Sequence, residues 1–407
     1  MLLPYQKLYI SHFLTSWVDR SFEFASYLLI AKVFTTSLLQ SSLYGLITTL
    51  AALLLSNRIG NWINILSRLH TYRITLLTQK LSIVVSTLLF YILDRSPDKK
   101  TVLYACIIVL GCTLKLAFIG NSIAIEKDWA MVISDGHIQL LLPTMRRIDL
   151  VVAVVISAWT VVSTILEYIL ISQIHRDVPE LSSRAPHSST TTPGVEEETA
   201  VEVTAREYIN HKTFLATLAL GMLYMNVLSF GGTQTSYLVL IGYNSGLLGI
   251  MKALCGIIGV AGTYLMPLLA KKIGTVRTGL WSIWQLALTL AVVVIALTFR
   301  QSTMATSVLL FGGMALSRLG LWMFDIAENL ILQDHTEPIH VTSIAGWQYS
   351  LCNLFDLLQF SLTIAVSDPA RFIIPASISL SATVGAAIIY TLFVWKDRGH
   401  LLHIKLK

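Results

Sequence analysis

Eleven windows of predominantly apolar residues run through this chain, near 10–33, 38–56, 74–94, 102–124, 148–172, 213–242, 245–269, 278–299, 305–331, 343–366 and 371–395. Each approaches the length of about 20 residues that lets a helix cross a hydrocarbon core of roughly 30 Å. In lipid every backbone N–H and C=O must be satisfied within the protein, which leaves helices or a closed barrel. Uninterrupted apolar runs of this length read as helices. The expected fold class is therefore all-α: a polytopic transmembrane helical bundle. Composition agrees, since 55% of the 407 residues are hydrophobic and only 13% are charged, where soluble domains carry about a quarter. The opening residues, MLLPYQKLY, lack a cleavable leader pattern, so the first window is read as retained.

One segment is made of different material. His175–Lys212 contains RDVPELSSRAPHSSTTTPGVEEET, rich in Ser, Thr, Pro and Glu and without an apolar period. Such a stretch cannot bury enough surface to order itself. The expected organisation is an N-terminal transmembrane bundle at 1–172, a disordered cytoplasmic linker at 173–212 and a C-terminal transmembrane bundle at 213–407, as in transporters built from two helical halves. The net charge of +6 is read as Lys and Arg in cytoplasmic loops rather than as a nucleic-acid footprint. Arg58, Arg68 and Arg73, then Arg146 and Arg147, then Lys271, Lys272 and Arg277, and finally Lys396 and Arg398 all ask for the cytoplasmic side. The rule exposes a problem of parity: Arg146 and Lys271 should lie on one side, yet three windows separate them. One span is missing there, or one segment enters without crossing.

Ionisable groups stand where lipid disfavours them. Asp19, Arg20 and Glu23 lie near the middle of the first window. Such groups cost several kcal/mol in a bilayer and usually face a protein interior or an aqueous path. Asp19 and Glu23 are four apart and share a helix face, a pattern for a cation site. The alternative is that Arg20 or a base on another helix pairs with them. Further polar groups within windows are Gln79, Asp149, Glu167, Arg318, Asp325, Glu328, Asp356 and Gln359. Oxygen donors suit hard cations. Arg318 and Asp325, two turns apart, suit a gate. In the sixth window Gly231 and Gly232 interrupt an apolar run ahead of Thr233-Gln234-Thr235-Ser236, the pattern of a broken helix lining a cavity or of close helix packing. The four cysteines, Cys106, Cys112, Cys255 and Cys352, lie in apolar runs at spacings unlike metal motifs. No P-loop, GxSxG, HExxH or GxGxxG is present, and no enzymatic activity is expected.

SWVDRSFEF at 16–24, EKDWAMVIS at 126–134, PTMRRID at 143–149, GTVRTGLWS at 274–282, SRLGLWMFD at 317–325 and NLFDLLQF at 353–360 together carry a resemblance. The chain resembles the ferroportin family of iron exporters, solute carrier family 40, over nearly its whole length. The linker and the ending RGHLLH are similar to fungal members. The resemblance implies a major-facilitator fold of 12 spans and efflux of Fe2+, with other divalent metals as further cargo, by alternating access. It implies a first metal site at Asp19, with Glu23 where animal members have histidine. It places a second site around Phe230, Gly231, Gly232, Asp356, Gln359 and Phe360. There the animal cysteine and histidine are replaced by Gly232 and Gln359, so hepcidin control is not expected. A Ca2+ activator site in animal members falls on Asp19, Gln79, Thr160 and Glu167, and the cytoplasmic gate region on Asp128, Arg146 and Asp149. Two helices of the family pattern should separate the RRID motif from Glu167. Asp149–Glu167 holds only one, about 20 residues too few, which leaves 11 spans.

The expected function is membrane export of Fe2+ in iron homeostasis. The metal ligands are Asp19, Glu23, Gln79, Asp149 and Glu167, and the gate residues are Asp128, Arg146, Arg318 and Asp325. No bound cofactor is required. The partners are the metal and the lipid bilayer, not nucleic acid, and a monomer is expected. The plasma membrane is the first expectation, a vacuolar or other internal membrane the second. The rivals are a non-transporting truncated form and a transporter of another cation.

Overall fold

The structure is a computed structural model that describes residues 4–65, 68–122, 204–299, 304–336 and 341–398. Among them all regular structure is helical. In chain order the longer elements are α1 (Pro4–Val33), α2 (Leu39–Ile65), α3 (Arg68–Arg95), α4 (Lys100–Ser122), α5 (Ala205–Asn210), α6 (Phe214–Leu223) and α7 (Gly232–Leu240). Then follow α8 (Ser245–Ile273), α9 (Thr275–Thr298), α10 (Met304–Asp334), α11 (Val341–Ala365) and α12 (Ile373–Arg398). Ten of the eleven expected windows fall on these helices, the sixth being split between α6 and α7. The fifth, 148–172, lies outside the described residues.

Six of the described helices are long and apolar enough to cross a membrane: Leu69–Leu93, Lys100–Asn121, Ser245–Ile273, Thr275–Thr298, Met304–Asp334 and Ile373–Asp397. Their apolar surface is not used up by packing. Leu81, Leu88, Val109, Ile257, Leu268, Trp281 and Leu288 stay exposed, as expected of helices that are apolar all round and meet lipid. The protein is an integral, multi-pass membrane protein. Several helices exceed the bilayer: 31 residues in α10 amount to about 46 Å, so its ends project beyond the hydrocarbon.

The chain divides into two compact units, Met1–Thr35 with Leu43–Glu196, and Thr36–Ser42 with Glu197–Lys407. In the first, Val18, Phe22, Tyr27 and Ile30 of α1 pack with Tyr44, Ile83, Phe90, Leu93, Tyr104, Ile107 and Leu114. The Tyr27 and Tyr44 rings meet edge to face at 5.5 Å. A Cβ at Gly111 would stand 2.7 Å from the Tyr44 ring, so glycine lets α2 and α4 close on each other.

In the second unit the same device explains two of the sequence patches. Gly279 of GTVRTGLWS lies under the Tyr390 phenol, whose hydroxyl donates to Val276 O at 3.1 Å. A Cβ on Gly320 of SRLGLWMFD would come within 2.6 Å of Ser282 O. The two patches therefore pack against each other across α9 and α10. Trp322, in the same patch, covers Gly259 of α8, and Gly262 faces the Leu319 carbonyl. These residues are held by packing, with no chemical role required. Two connections need a left-handed residue: Gly274 (φ 87°) joins α8 directly to α9, and Gly242 (φ 98°) follows α7.

One expectation is corrected in part. The end of the stretch read as disordered linker is ordered. Thr204 and Glu207 form a reciprocal capping box at the start of α5, which offsets two orphan N–H groups. Tyr208 is buried, donates to Thr217 Oγ1 at 2.9 Å and stacks on Trp347. An aromatic anchor with a satisfied hydroxyl supplies the burial that the Ser/Thr/Pro/Glu composition further upstream lacks. Residues 173–203 lie outside the described residues.

Candidate metal-handling sites in the two units

The polar face of α1 is built by spacing. Ser11, Thr15 and Asp19 recur every four residues, and Ser26 lies about two turns further along. All four are buried, Asp19 at 7% exposure. Ser11 Oγ and Thr15 Oγ1 lie 3.3 and 3.4 Å from the Tyr72 hydroxyl of α3. Ser26 Oγ donates back to Phe22 O at 2.8 Å, so its hydroxyl is satisfied within the helix. Asp19 is the single charged member of this stripe.

Glu23 does not join Asp19 as a twin donor. It accepts from Arg20 Nη1 at 3.3 Å, and both side chains are substantially exposed. The intrahelical pairing foreseen as an alternative is thus present for Glu23. Bases arrive from other helices too: Lys80 of α3, itself buried, and Lys115 of α4 are close enough for their charges to act on Asp19. These two lysines are not among the expected site residues, although a lysine inside an apolar span is a signal of the same kind as Asp19. Gln79, fully buried, accepts from Asn121 Nδ2 at 2.9 Å. Asp149 and Glu167 lie outside the described residues, as do Thr160 and the gate residues Asp128 and Arg146. Among the described residues no three His, Cys, Asp or Glu side chains converge as a metal cage. For the implied Ca2+ activator the described donors are Asp19 and Gln79, and the Gln79 oxygen is occupied by Asn121. These two described residues alone do not make a Ca2+ cage.

The second unit makes its polar centre from backbone. α6 stops at Leu223 and α7 starts at Gly232, so the break begins seven residues before the expected one. Neither glycine is forced by its dihedrals, since Gly231 has φ −92°. Asn226 supplies the turn: its Oδ1 accepts from Leu228 N at 2.9 Å, and Val227 N donates to Ser379 Oγ at 3.1 Å. Side chains thereby take over groups that the interrupted helix releases. Beyond it, Thr233, Gln234, Thr235 and Ser236 form a fully buried polar turn. Gln234 Oε1 and Thr235 Oγ1 have no hydrogen-bond partner among the described residues.

Gln359 of α11 ties this turn to Asp356. With its amide turned to satisfy both ends, Nε2 donates to Tyr224 O at 3.3 Å and to Asp356 Oδ1 at 3.2 Å. Phe230 stacks on Phe311 at 6.4 Å, and Phe360 is buried. Arg318 and Asp325 are not paired with each other. Asn329 donates to Asp325 Oδ1 at 3.3 Å, and Arg318 Nε has no hydrogen-bond partner among the described residues. Glu328, recorded in the sequence only as a polar group in a span, is completely buried and accepts from Gln348 Nε2 at 2.6 Å.

Solute carrier family 40 member 1 of Arabidopsis thaliana is 29% identical over 466 aligned residues, spanning 98% of this chain and 89% of its own length. An alignment longer than this 407-residue chain means that the relative carries insertions against it. Among solved structures, a bacterial homologue of the iron transporter ferroportin in an inward-facing state is similar in fold, with TM-score 0.78, 19% identity, and 97% of this chain and 99% of that one covered. Its outward-facing form gives TM-score 0.70 at 20% identity, over 98% of this chain and 100% of that one. The family model described as Ferroportin1 (FPN1) matches residues 4–155 and 150–383, two pieces that meet at the segment the parity argument found too short. On this match the chain belongs to the ferroportin family.

Proposed function

We propose that this chain exports Fe2+ across a membrane by alternating access, with Asp19 as the principal metal ligand. The observation that carries the reading is a carboxylate only 7% exposed halfway along the 30-residue helix α1 of a multi-pass membrane protein, and a charge inside such a bundle is a functional site by default. Membership of the ferroportin family and the likeness in fold to a bacterial homologue of the iron transporter ferroportin support iron as cargo. Asp19 captures the dehydrated ion. Glu23, once released from Arg20, and Gln79 are the next donors, with Asp149 and Glu167 as further ligands. In the second unit Phe230, Gly231, Gly232, Asp356, Gln359 and Phe360 line a weaker stopping point made of amide, carbonyl and one carboxylate. Arg318 and Asp325, with Asp128 and Arg146, serve as gate residues. Other divalent ions with similar oxygen preferences are secondary cargo. The working unit is a monomer in the plasma membrane, and Gly232 at the hepcidin cysteine position argues against hepcidin control.

Cells loaded with iron and expressing this chain, beside cells expressing Asp19→Ala, test the reading. Lower cellular iron with the wild type alone is expected. Equal iron in both, with each protein at the surface, overturns it. A second reading, a ferroportin that no longer transports, is favoured by one observation: the family match breaks at 150–155, inside the short Asp149–Glu167 segment. Restoring about 20 apolar residues there and recovering efflux would support that second reading.

A further inference from the structure

Gln79 presents its amide the wrong way round for a cation ligand. Its Oε1 accepts from Asn121 Nδ2 at 2.9 Å, and Asn121 Oδ1 lies 2.5 Å from Thr75 Oγ1. All three residues are buried, and Gln79 Nε2 has no hydrogen-bond partner among the described residues. A buried donor without a partner forfeits its hydration with nothing in return, so its persistence asks for a reason.

The place of the orphan supplies one. Tyr72 of α3 meets Ser11 and Thr15 of α1. A single helix, α2, separates α1 from α3; read as one crossing, it leaves the two running the same way. Seven residues beyond Tyr72 is Gln79, and four residues beyond Thr15 is Asp19. Ile83 belongs to the same buried cluster as Val18 and Phe22, and Lys80, next to Gln79, is close enough for its charge to act on Asp19. Gln79 thus lies at the level of the α1 carboxylate.

The three-residue chain can also run in the opposite sense. Thr75 Oγ1 is 3.1 Å from both Thr71 O and Tyr72 O. Its single proton can leave Asn121 and go to one of those carbonyls. Asn121, turned over, then donates through Nδ2 to Thr75 Oγ1 and accepts through Oδ1 from Gln79 Nε2. Every contact keeps one donor and one acceptor, and the two amides fill the same volume. The change is at the free end: the group that Gln79 leaves unpartnered becomes an acceptor oxygen.

We propose that Asn121, backed by Thr75, is a positioning residue whose coupled amide turn with Gln79 presents Gln79 Oε1 to a divalent cation held at Asp19. In one sense of the chain Gln79 turns a donor away from Asn121; in the other it turns an oxygen, the atom a cation needs. The inference rests on the reading of Asp19 as the metal ligand.

The test is Co2+ titration of the purified full-length protein by calorimetry, with thermal unfolding as a control. Asn121→Leu should weaken Co2+ binding about tenfold in the wild-type background, the scale of one hydrogen bond. In a Gln79→Leu background it should change binding by less than twofold, because the residue it positions is gone. Asn121→Asp, which can only accept from Gln79 Nε2 and so holds the loaded sense, should retain wild-type affinity. Equal losses from Asn121→Leu in both backgrounds, or no loss in either, overturn the proposal. If Asp19→Ala leaves Co2+ binding unchanged, the ligand reading itself has failed. If Asp19→Ala abolishes binding while Asn121→Leu does nothing, only the positioning role has.

Discussion

The two units solve the same problem, polarity inside a membrane, with opposite materials. In the first, α1 stays helical over 30 residues, and charge comes from side chains: Asp19, Arg20 and Glu23, with Lys80 and Lys115 acting on Asp19 from neighbouring helices. In the second, the helix itself is interrupted between Leu223 and Gly232. Its polarity comes from freed backbone, an Asn turn, and neutral side chains at Thr233–Ser236, with Asp356 reached through Gln359. An unbroken helix hides its backbone dipoles and needs ionised groups to attract a cation, whereas a broken one exposes oxygens at the cost of helical hydrogen bonds. A fixed carboxylate suits capture of a dehydrated divalent ion. A set of neutral oxygens suits passing it on.

Breaking the first centre has the largest expected effect. Asp19→Ala should reduce metal-dependent efflux to the level of cells lacking the protein, measured as retained iron, with surface labelling as the control. Gln359→Ala sharpens the comparison from the other side: it should weaken Co2+ binding only a few-fold by calorimetry, since neutral donors contribute about 0.5–1.5 kcal/mol each. A loss as large as that of Asp19→Ala would place the stronger site in the second unit.

The next two predictions separate chemistry from packing. Gly320→Val forces a Cβ to within 2.6 Å of Ser282 O, and overpacking of this kind costs about 1–3 kcal/mol. It should lower the thermal unfolding midpoint while leaving metal affinity per folded molecule unchanged. Smallest is a pair of alanines. Gly274→Ala, at φ 87°, should destabilise by about 1–2 kcal/mol. Gly231→Ala, at φ −92° with Ser229 Oγ 3.3 Å from the added carbon, should cost well under that. A large effect at Gly231 would mean that the break requires close approach there.

Legibility followed the range of the interaction. Ten of the apolar windows located described helices, because lipid imposes length and hydrophobicity locally, residue by residue. Asp19 was legible because a charge in an apolar run is anomalous without any neighbour being known. The break in the sixth window was legible in kind but not in place. The two glycines drew the eye, while the turn is made by Asn226 with Ser379 from α12, a partner 152 residues away from Val227. The patches GTVRTGLWS and SRLGLWMFD were legible as a family signature, but nothing in their spelling says that Gly279 serves Tyr390 or that Gly320 serves Ser282.

By itself, then, the sequence determined that this is a helical membrane protein of the ferroportin family with a buried carboxylate on its first helix, because hydropathy, charge and helical period act along the chain. Only the tertiary structure decided who answers whom. Arg20 engages Glu23, Asn121 donates to Gln79 Oε1, and Gln348 donates to Glu328 Oε2. The first of these lies within one helix, but the other two are decided by which atoms come within about 3 Å across helices, a distance that composition, period and spacing do not encode.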